Sequence, residues 1–286
     1  MPPGAGRGRL RAASLVREVV SRAGVRPSRD LGQHFIVADW AVSEFMKPLE
    51  RAAKRLNPGG ALEIGPGAGS LTLPASDRLS RIVAVELDSR LARALREIAP
   101  PAVSVVVGDG VSHARAARAE VVFSNTPFHL APAIVEALAR NSVVSAAVLG
   151  VQLEVARRMA ARPGTRDYGR LSILVGLVFR PEIAAAIPPK AYWPPPEVLT
   201  AVVVLERRRV WEPWMDGVMR LSTCIFSQRR KRAYKVLAEC LESMGCRAPA
   251  WLHSLGDTRV WELGLEVLER AVEGCGSSRS ILGRAG

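Results

Sequence analysis

Four short stretches hold the side chains best suited to chemistry. The first, ALEIGPGAGSLTL, is an apolar run entering a glycine loop, Gly65-x-Gly67-x-Gly69, with Glu63 just before it. Glycine lets a ligand approach the main chain closely, and a helix start just beyond would offer unpaired N–H groups. A nucleotide-phosphate loop needs Lys after its last glycine, and the dinucleotide fingerprint needs Gly where Ser70 stands. Taken alone, the pattern fits a tight turn as well as a ligand cradle. The second stretch, RIVAVELD, ends in Glu86. It lies about 20 residues after Gly65, where a carboxylate binds ribose hydroxyls in α/β nucleotide sites. The third ends in GDG and supplies Asp109. The fourth, EVVFSNTPFHLAP, supplies Asn125-Thr126-Pro127-Phe128, with His129 next. A plain turn accounts for Asn125 to Pro127 but gives no reason for Phe128 and His129.

The elements that must position these residues alternate in type. Strands are expected at Ala61–Ile64, Arg81–Glu86, Val103–Val107, Glu120–Ser124, Ser145–Val151, Leu171–Phe179 and Val198–Leu205. Helical stretches separate most of them: Leu71–Leu79, Ser89–Ile98, Ala131–Arg140 and Leu153–Ala161. Earlier helices are expected at Leu10–Ala23 and Ala41–Leu56, the second ended by Asn57-Pro58-Gly59-Gly60. Such alternation predicts an α/β fold with a mostly parallel sheet and helices on both faces. Ligands in these folds bind beyond the carboxyl ends of the strands. Gly65, Glu86, Asp109 and Asn125 are then four successive strand ends, which favours a cofactor site over chance. From Trp211 onward only helical periodicity remains, so a small all-helical C-terminal domain is expected. The expected divisions are a basic extension over residues 1–27, an α/β domain over 28–208, a helical domain over 209–274 and a disordered tail over 275–286.

Composition narrows the setting. Of 286 residues, 48% are hydrophobic, enough for a real core, yet no apolar run approaches a membrane span. The N-terminus lacks an apolar signal segment, so a soluble, cytoplasmic protein is expected. The net charge of +13 suits a nucleic-acid partner. Arginine is scattered throughout, so only clustering is informative, and SQRRKRAYK (Ser227 to Lys235) is the one dense cluster. It reads either as a solvated helix face or as an RNA-backbone contact made by Gln228, Arg229, Arg230, Lys231 and Arg232; the flanking Phe226 and Tyr234 favour the second. Cys224, Cys240, Cys246 and Cys275 form no C-x-x-C pair and have no histidine at ligand spacing, so no metal site is expected. They are read as small buried thiols, the alternative being one disulfide in a protein from a hot-living source.

Together the four strand ends resemble the class I S-adenosylmethionine methyltransferases, in which the glycines face the methionine part. Asn125-Thr126-Pro127-Phe128 resembles the N-x-P-[YF] motif of those acting on exocyclic amines. RDLGQHFIVAD, DYGRLS (Asp167–Ser172), IPPKAYWPPPEVLTAVV (Ile187–Val203) and FSQRRK (Phe226–Lys231) resemble, in order, the motifs of the small-subunit rRNA adenine dimethyltransferases, archaeal in type. The resemblance runs from about Ser28 to Ala271. It implies four methyl transfers from S-adenosylmethionine to N6 of two adjacent adenosines in a hairpin loop near the 3′ end of small-subunit rRNA. It implies cofactor contacts at His34, Ile36, Gly65, Gly67, Gly69, Glu86, Asp109 and Asn125. It also implies a target-base pocket between Phe128 and Tyr192, and a monomeric enzyme working on the pre-small ribosomal subunit.

The chemistry this implies is definite. The amine of adenine is a poor nucleophile because its lone pair is delocalised into the ring. Acceptors at Asn125 Oδ1 and the Thr126 carbonyl favour a pyramidal nitrogen, Pro127 stiffens the loop, and Phe128 offers a stacking face. Positioning then carries most of the catalysis, and neither His34 nor His129 is needed as a base. Thr126, Phe128 and Leu153 depart from the family's usual Leu or Ile, Tyr, and Lys. The alternatives are a large-subunit rRNA adenine methylase, an assembly factor with little methylation, and a nicotinamide dehydrogenase.

Overall fold

A computed structural model of the chain describes residues 11–27, 32–273 and 275. Leu10, the Arg29–Leu31 start of the RDLGQHFIVAD stretch and the tail beyond Cys275 lie outside them. The strands are β1 (Phe35–Ile36), β2 (Ala61–Ile64), β3 (Ile82–Glu86), β4 (Val103–Val107), β5 (Val121–Asn125), β6 (Ala146–Gln152), β7 (Phe179–Ile187), β8 (Tyr192–Trp193) and β9 (Thr200–Arg207). Seven of them form one sheet in the order β4-β3-β2-β5-β6-β9-β7. Pairing is parallel from β4 through β6, and β9 then runs antiparallel to β6. The apolar runs of β2, β5 and β6 are buried on both faces, the pattern of strands covered by helices on two sides. Strand order reverses between β2 and β5, which opens a crevice beyond their carboxyl ends. β1 and β8 form a separate antiparallel ribbon that pairs Phe35 with Trp193 and Ile36 with Tyr192.

The helices are α1 (Ala12–Ala23), α2 (Asp39–Leu56), α3 (Thr72–Ser76), α4 (Ser89–Ile98), α5 (Gly110–Ala116), α6 (Ala131–Arg140), α7 (Leu153–Ala160), α8 (Arg170–Val178), α9 (Trp214–Phe226), α10 (Ala233–Ser243) and α11 (Leu265–Glu273). Phe45, Met46 and Leu49 recur at helical spacing on α2 and bury one stripe in the core that also holds Val121, Phe123 and Val148. Leu15, Val16, Val19 and Val20 of α1 pack with Phe35, Ala68 and Leu91. The described part of the basic lead-in is therefore an integral piece of the core.

Two compact units emerge. One holds the residues up to Ala156 together with Glu182–Glu206; the other holds Arg157–Pro181 and the residues from Arg207 onward. The second unit thus includes a stretch that sequence reading gives to the α/β domain. Part of that stretch also has a different structure. Leu171–Phe179, expected as a strand, is α8 up to Val178. Seven of the nine α8 residues are buried, so the run shows no period to separate helix from strand. Ser172 Oγ fixes its start, accepting from the Gly169 N–H at 3.1 Å and donating to the Arg158 carbonyl at 2.6 Å. Nor are the cysteines thiols: Cys224 pairs with Cys240, and Cys246 with Cys275, all within the second unit.

Candidate functional site

The tips of β2 to β5 border a cavity of about 440 Å³, lined from Gly32 to Ile36, from Glu63 to Gly67, and by Glu86, Asp109, Asn125 and Pro127. Gly65 and Gly67 both have left-handed backbone, φ 65° and 55°. A side chain at Gly67 would place its Cβ 2.7 Å from the Phe35 ring. Gly69 has another reason to be glycine: its Cβ would lie 2.6 Å from Leu95 Cδ1, so it seats the loop on α4 and does not line the cavity.

The carboxylates are arranged in detail. Glu86 Oε2 accepts the Gly67 N–H at 2.9 Å and Oε1 accepts the Asp88 N–H at 2.9 Å, so this side chain shapes the glycine loop as well as facing the cavity. Burial raises its pKa, against the pull of those N–H groups. Asp109 caps α5: Oδ2 accepts the Ser112 hydroxyl at 2.6 Å and its N–H at 2.8 Å, and these bonds hold the carboxyl below its usual range. Sequence reading assigned no role to Glu63. It is 1% exposed, and burial pushes its pKa up to about 8. Its Oε2 has no hydrogen-bond partner among the described residues. The available signal was a carboxylate inside a four-residue strand buried on both faces.

Asn125 ends β5 and lines the cavity. Its Nδ2 donates to the His34 carbonyl at 2.8 Å, which commits one amide hydrogen and fixes which end of the amide is Oδ1, the acceptor. Gly150, paired with Asn125 across β5 and β6, makes room for this side chain. A Cβ there would lie 3.1 Å from Oδ1 and 2.5 Å from the Phe45 ring. The Thr126 N–H donates to the Gly150 carbonyl at 3.0 Å, and its hydroxyl is buried without a partner among the described residues. Leu130 N–H closes the turn onto the Pro127 carbonyl at 2.9 Å. The Phe128 ring stacks on His34, with centroids 5.4 Å apart and planes at 22°. His129 is exposed.

Tyr192 sits apart from this group. It is 4% exposed in the core cluster with Ile36 and Phe45, and it does not line the cavity. Its hydroxyl bonds Thr200 Oγ1 at 2.7 Å, and burial raises its pKa to about 12. The exposed ring on this ribbon is that of Trp193.

The basic segment belongs to the second unit and is a turn between α9 and α10, not a helix face. Three loops meet there. Trp261 N–H donates to the Arg229 carbonyl at 3.1 Å, and Val260 N–H to the Lys231 carbonyl at 3.1 Å. The Arg229 guanidinium donates to the Arg166 carbonyl at 2.9 Å, and that of Arg259 to the Arg230 carbonyl at 2.6 Å. Arg232 pairs with Asp257 at 3.0 Å. The segments of Arg166 and Arg259 thus meet the basic turn from 63 residues upstream and 29 downstream, through bonds to main-chain carbonyls that composition cannot reveal.

A nucleoside bearing an ammonium and a sulfonium fits the first-unit cavity. Four carboxyl groups line it, Glu63, Glu86, Asp88 and Asp109, the first with an unpartnered buried oxygen; the glycine loop lets a ligand approach closely, and the volume lies in the small-molecule range. Comparison with known proteins agrees with this chemistry. Residues 26–244 match the family model for ribosomal RNA adenine dimethylase. A protein of Aeropyrum pernix named as a probable ribosomal RNA small subunit methyltransferase A is 62% identical over 96% of this chain and 99% of its own length. In fold, the chain resembles a dimethyladenosine transferase from Plasmodium falciparum, with a TM-score of 0.63 and 18% identity, covering 90% of this chain and 94% of the other. It also resembles the 23S rRNA methyltransferase ErmE, with a TM-score of 0.53 and 24% identity, covering 79% and 97%. The chain belongs to the ribosomal RNA adenine dimethylase family.

Proposed function

We propose that this protein dimethylates N6 of two adjacent adenosines in the 3′-terminal hairpin loop of small-subunit rRNA, acting as a cytoplasmic monomer on the pre-small ribosomal subunit. The observation that carries the reading is the amide orientation of Asn125: with Nδ2 given to the His34 carbonyl, Oδ1 is an acceptor at the cavity wall. S-adenosylmethionine, when bound, supplies a methyl group already activated on a sulfonium. Glu86 would hold the ribose hydroxyls, Asp109 the adenine amine, and Glu63 and the Gly65–Gly67 turn the methionine end. In the first transfer Asn125 Oδ1 and the Thr126 carbonyl take the two N6 hydrogens of the target, in the second one of them takes the single hydrogen left, and in both they stabilise the charge that develops on nitrogen. Phe128 supports the extruded base. The proton, acidified once the new N–C bond forms, leaves to water. Only the main chain of Thr126 is used, so its departure from the family's Leu or Ile is tolerated. Tyr192, buried away from the cavity with its hydroxyl engaged by Thr200, is given no contact with the base in this reading. Gln228 to Arg232, with Arg166 and Arg259, would hold the RNA backbone.

The test is transfer of labelled methyl from S-adenosylmethionine to unmethylated small subunits, with the modified nucleotide identified and placed by primer extension. The expected product is N6,N6-dimethyladenosine at two neighbouring positions. Methylation of large-subunit RNA instead would overturn the reading. Asn125→Ala should lower the rate by about a hundredfold or more while subunit binding persists, whereas a wild-type rate would remove Asn125 from the chemistry.

A further inference from the structure

We infer that the His34 side chain is a positioning residue for the target base, a role distinct from the cofactor contact expected of this position and resting on the adenine-methylation reading above. The turn that carries it lies on the catalytic loop: Gly32 has φ 65°, and a Cβ there would sit 3.4 Å from Pro127. His34 N–H closes that turn onto the Gly32 carbonyl at 3.0 Å. From this base His34 reaches three separate segments. Its carbonyl accepts the Asn125 amide at 2.8 Å. Its Nδ1 lies 2.7 Å from the Pro194 carbonyl. Its ring stacks on Phe128. Because a carbonyl only accepts, Nδ1 carries the hydrogen and donates.

The consequence is geometric. His34 is 8% exposed, so the stack and the bond to Pro194 are shielded from competing water. The imidazole stacks against Phe128, which is half-buried, so in this proposal a base would use the face of the ring turned away from His34. The ring that covers it is fixed by the carbonyl of the proline-rich loop, 160 residues away in sequence. The acceptor amide and the stacking ring are therefore held relative to each other by a single residue. Removing the imidazole would free the Phe128 ring directly and reach Asn125 only through the main-chain carbonyl that the ring anchors, misplacing these groups without removing either. Rate is sensitive to such misplacement, by about tenfold to a hundredfold for shifts near 1 Å.

His34→Ala and His34→Asn test this, since the Asn amide can place a donor near the position of Nδ1. For His34→Ala the expected result is a fall in kcat of about tenfold or more, with S-adenosylmethionine affinity, measured by calorimetry, within about threefold of wild type. His34→Asn should recover most of the kcat. An unchanged kcat in His34→Ala, or a loss of cofactor affinity that matches the loss of rate, would overturn the inference. Nitrogen-15 NMR of the wild-type protein gives an independent reading: His34 should carry hydrogen on Nδ1, and a ring protonated only at Nε2 would refute the clamp. If wild-type protein transfers no methyl group, the functional reading fails, while the NMR result still decides whether the clamp exists.

Discussion

Glu63 shows how one residue can tie the site to the stability of its unit. Its carboxyl is held neutral by burial, with a pKa near 8 against 4.5 unperturbed, so the folded protein keeps a proton that the unfolded chain gives up. Between those values the folded state binds more protons, and stability falls as pH rises. The ligand-free protein should therefore lose several degrees of melting temperature between pH 5 and 8, and Glu63→Gln should flatten that slope; parallel melting curves across this range provide the check. At this scale the sequence discloses residue types better than their partners. Asn125, Glu86 and Asp109 are recognisable because each ends a hydrophobic strand. The His34–Asn125 bond joins residues 91 apart, and no local pattern encodes it. Tyr192 shows the opposite limit. Its type suits a base pocket, yet its neighbours bury it and engage its hydroxyl.

Among the elements, those with a clear period were legible and those without one were not. β2 to β6 with α3, α4, α6 and α7 stand close to where alternating apolar runs put them, because each strand is short and bounded by turn residues, whereas α5, short and with only Ala114 buried, was not expected. α8 was misread because burial on all sides erases the helical period. β7 was missed because Glu182, Ile183 and Ala184 are exposed in succession, so it shows no two-residue period, and its alanines lack the bulky branched side chains of a typical strand. The disulfides needed three dimensions, since pairing follows distance and not spacing. Cys224–Cys240 joins α9 to α10 across the basic turn, closing a loop of 16 residues. Loop closure of that size is worth about 3 kcal/mol in the chain-entropy account. Cys224→Ser should accordingly lower the melting temperature of the oxidised protein by several degrees and make it insensitive to reduction at that bond, as calorimetry with and without reductant would show.

For the whole molecule, the +13 charge acquires meaning through where its carriers lie. Much of it is scattered or locally paired, as in Arg22–Glu18, Arg140–Glu136 and Arg232–Asp257. The turn over Arg229 to Lys231, with Arg166 and Arg259, brings several cations together on one unit. Each phosphate contact steepens the salt dependence of binding, so Arg230→Ala combined with Lys231→Ala should reduce the slope of log affinity against log salt by about 2. Titration of an rRNA hairpin at several salt concentrations measures it. Cys246–Cys275 encloses α11 in a covalent ring. A protease that nicks the backbone anywhere between those two residues leaves both pieces joined through sulfur. On a denaturing gel the clipped protein should migrate as one band until a thiol is added, and only then separate into fragments.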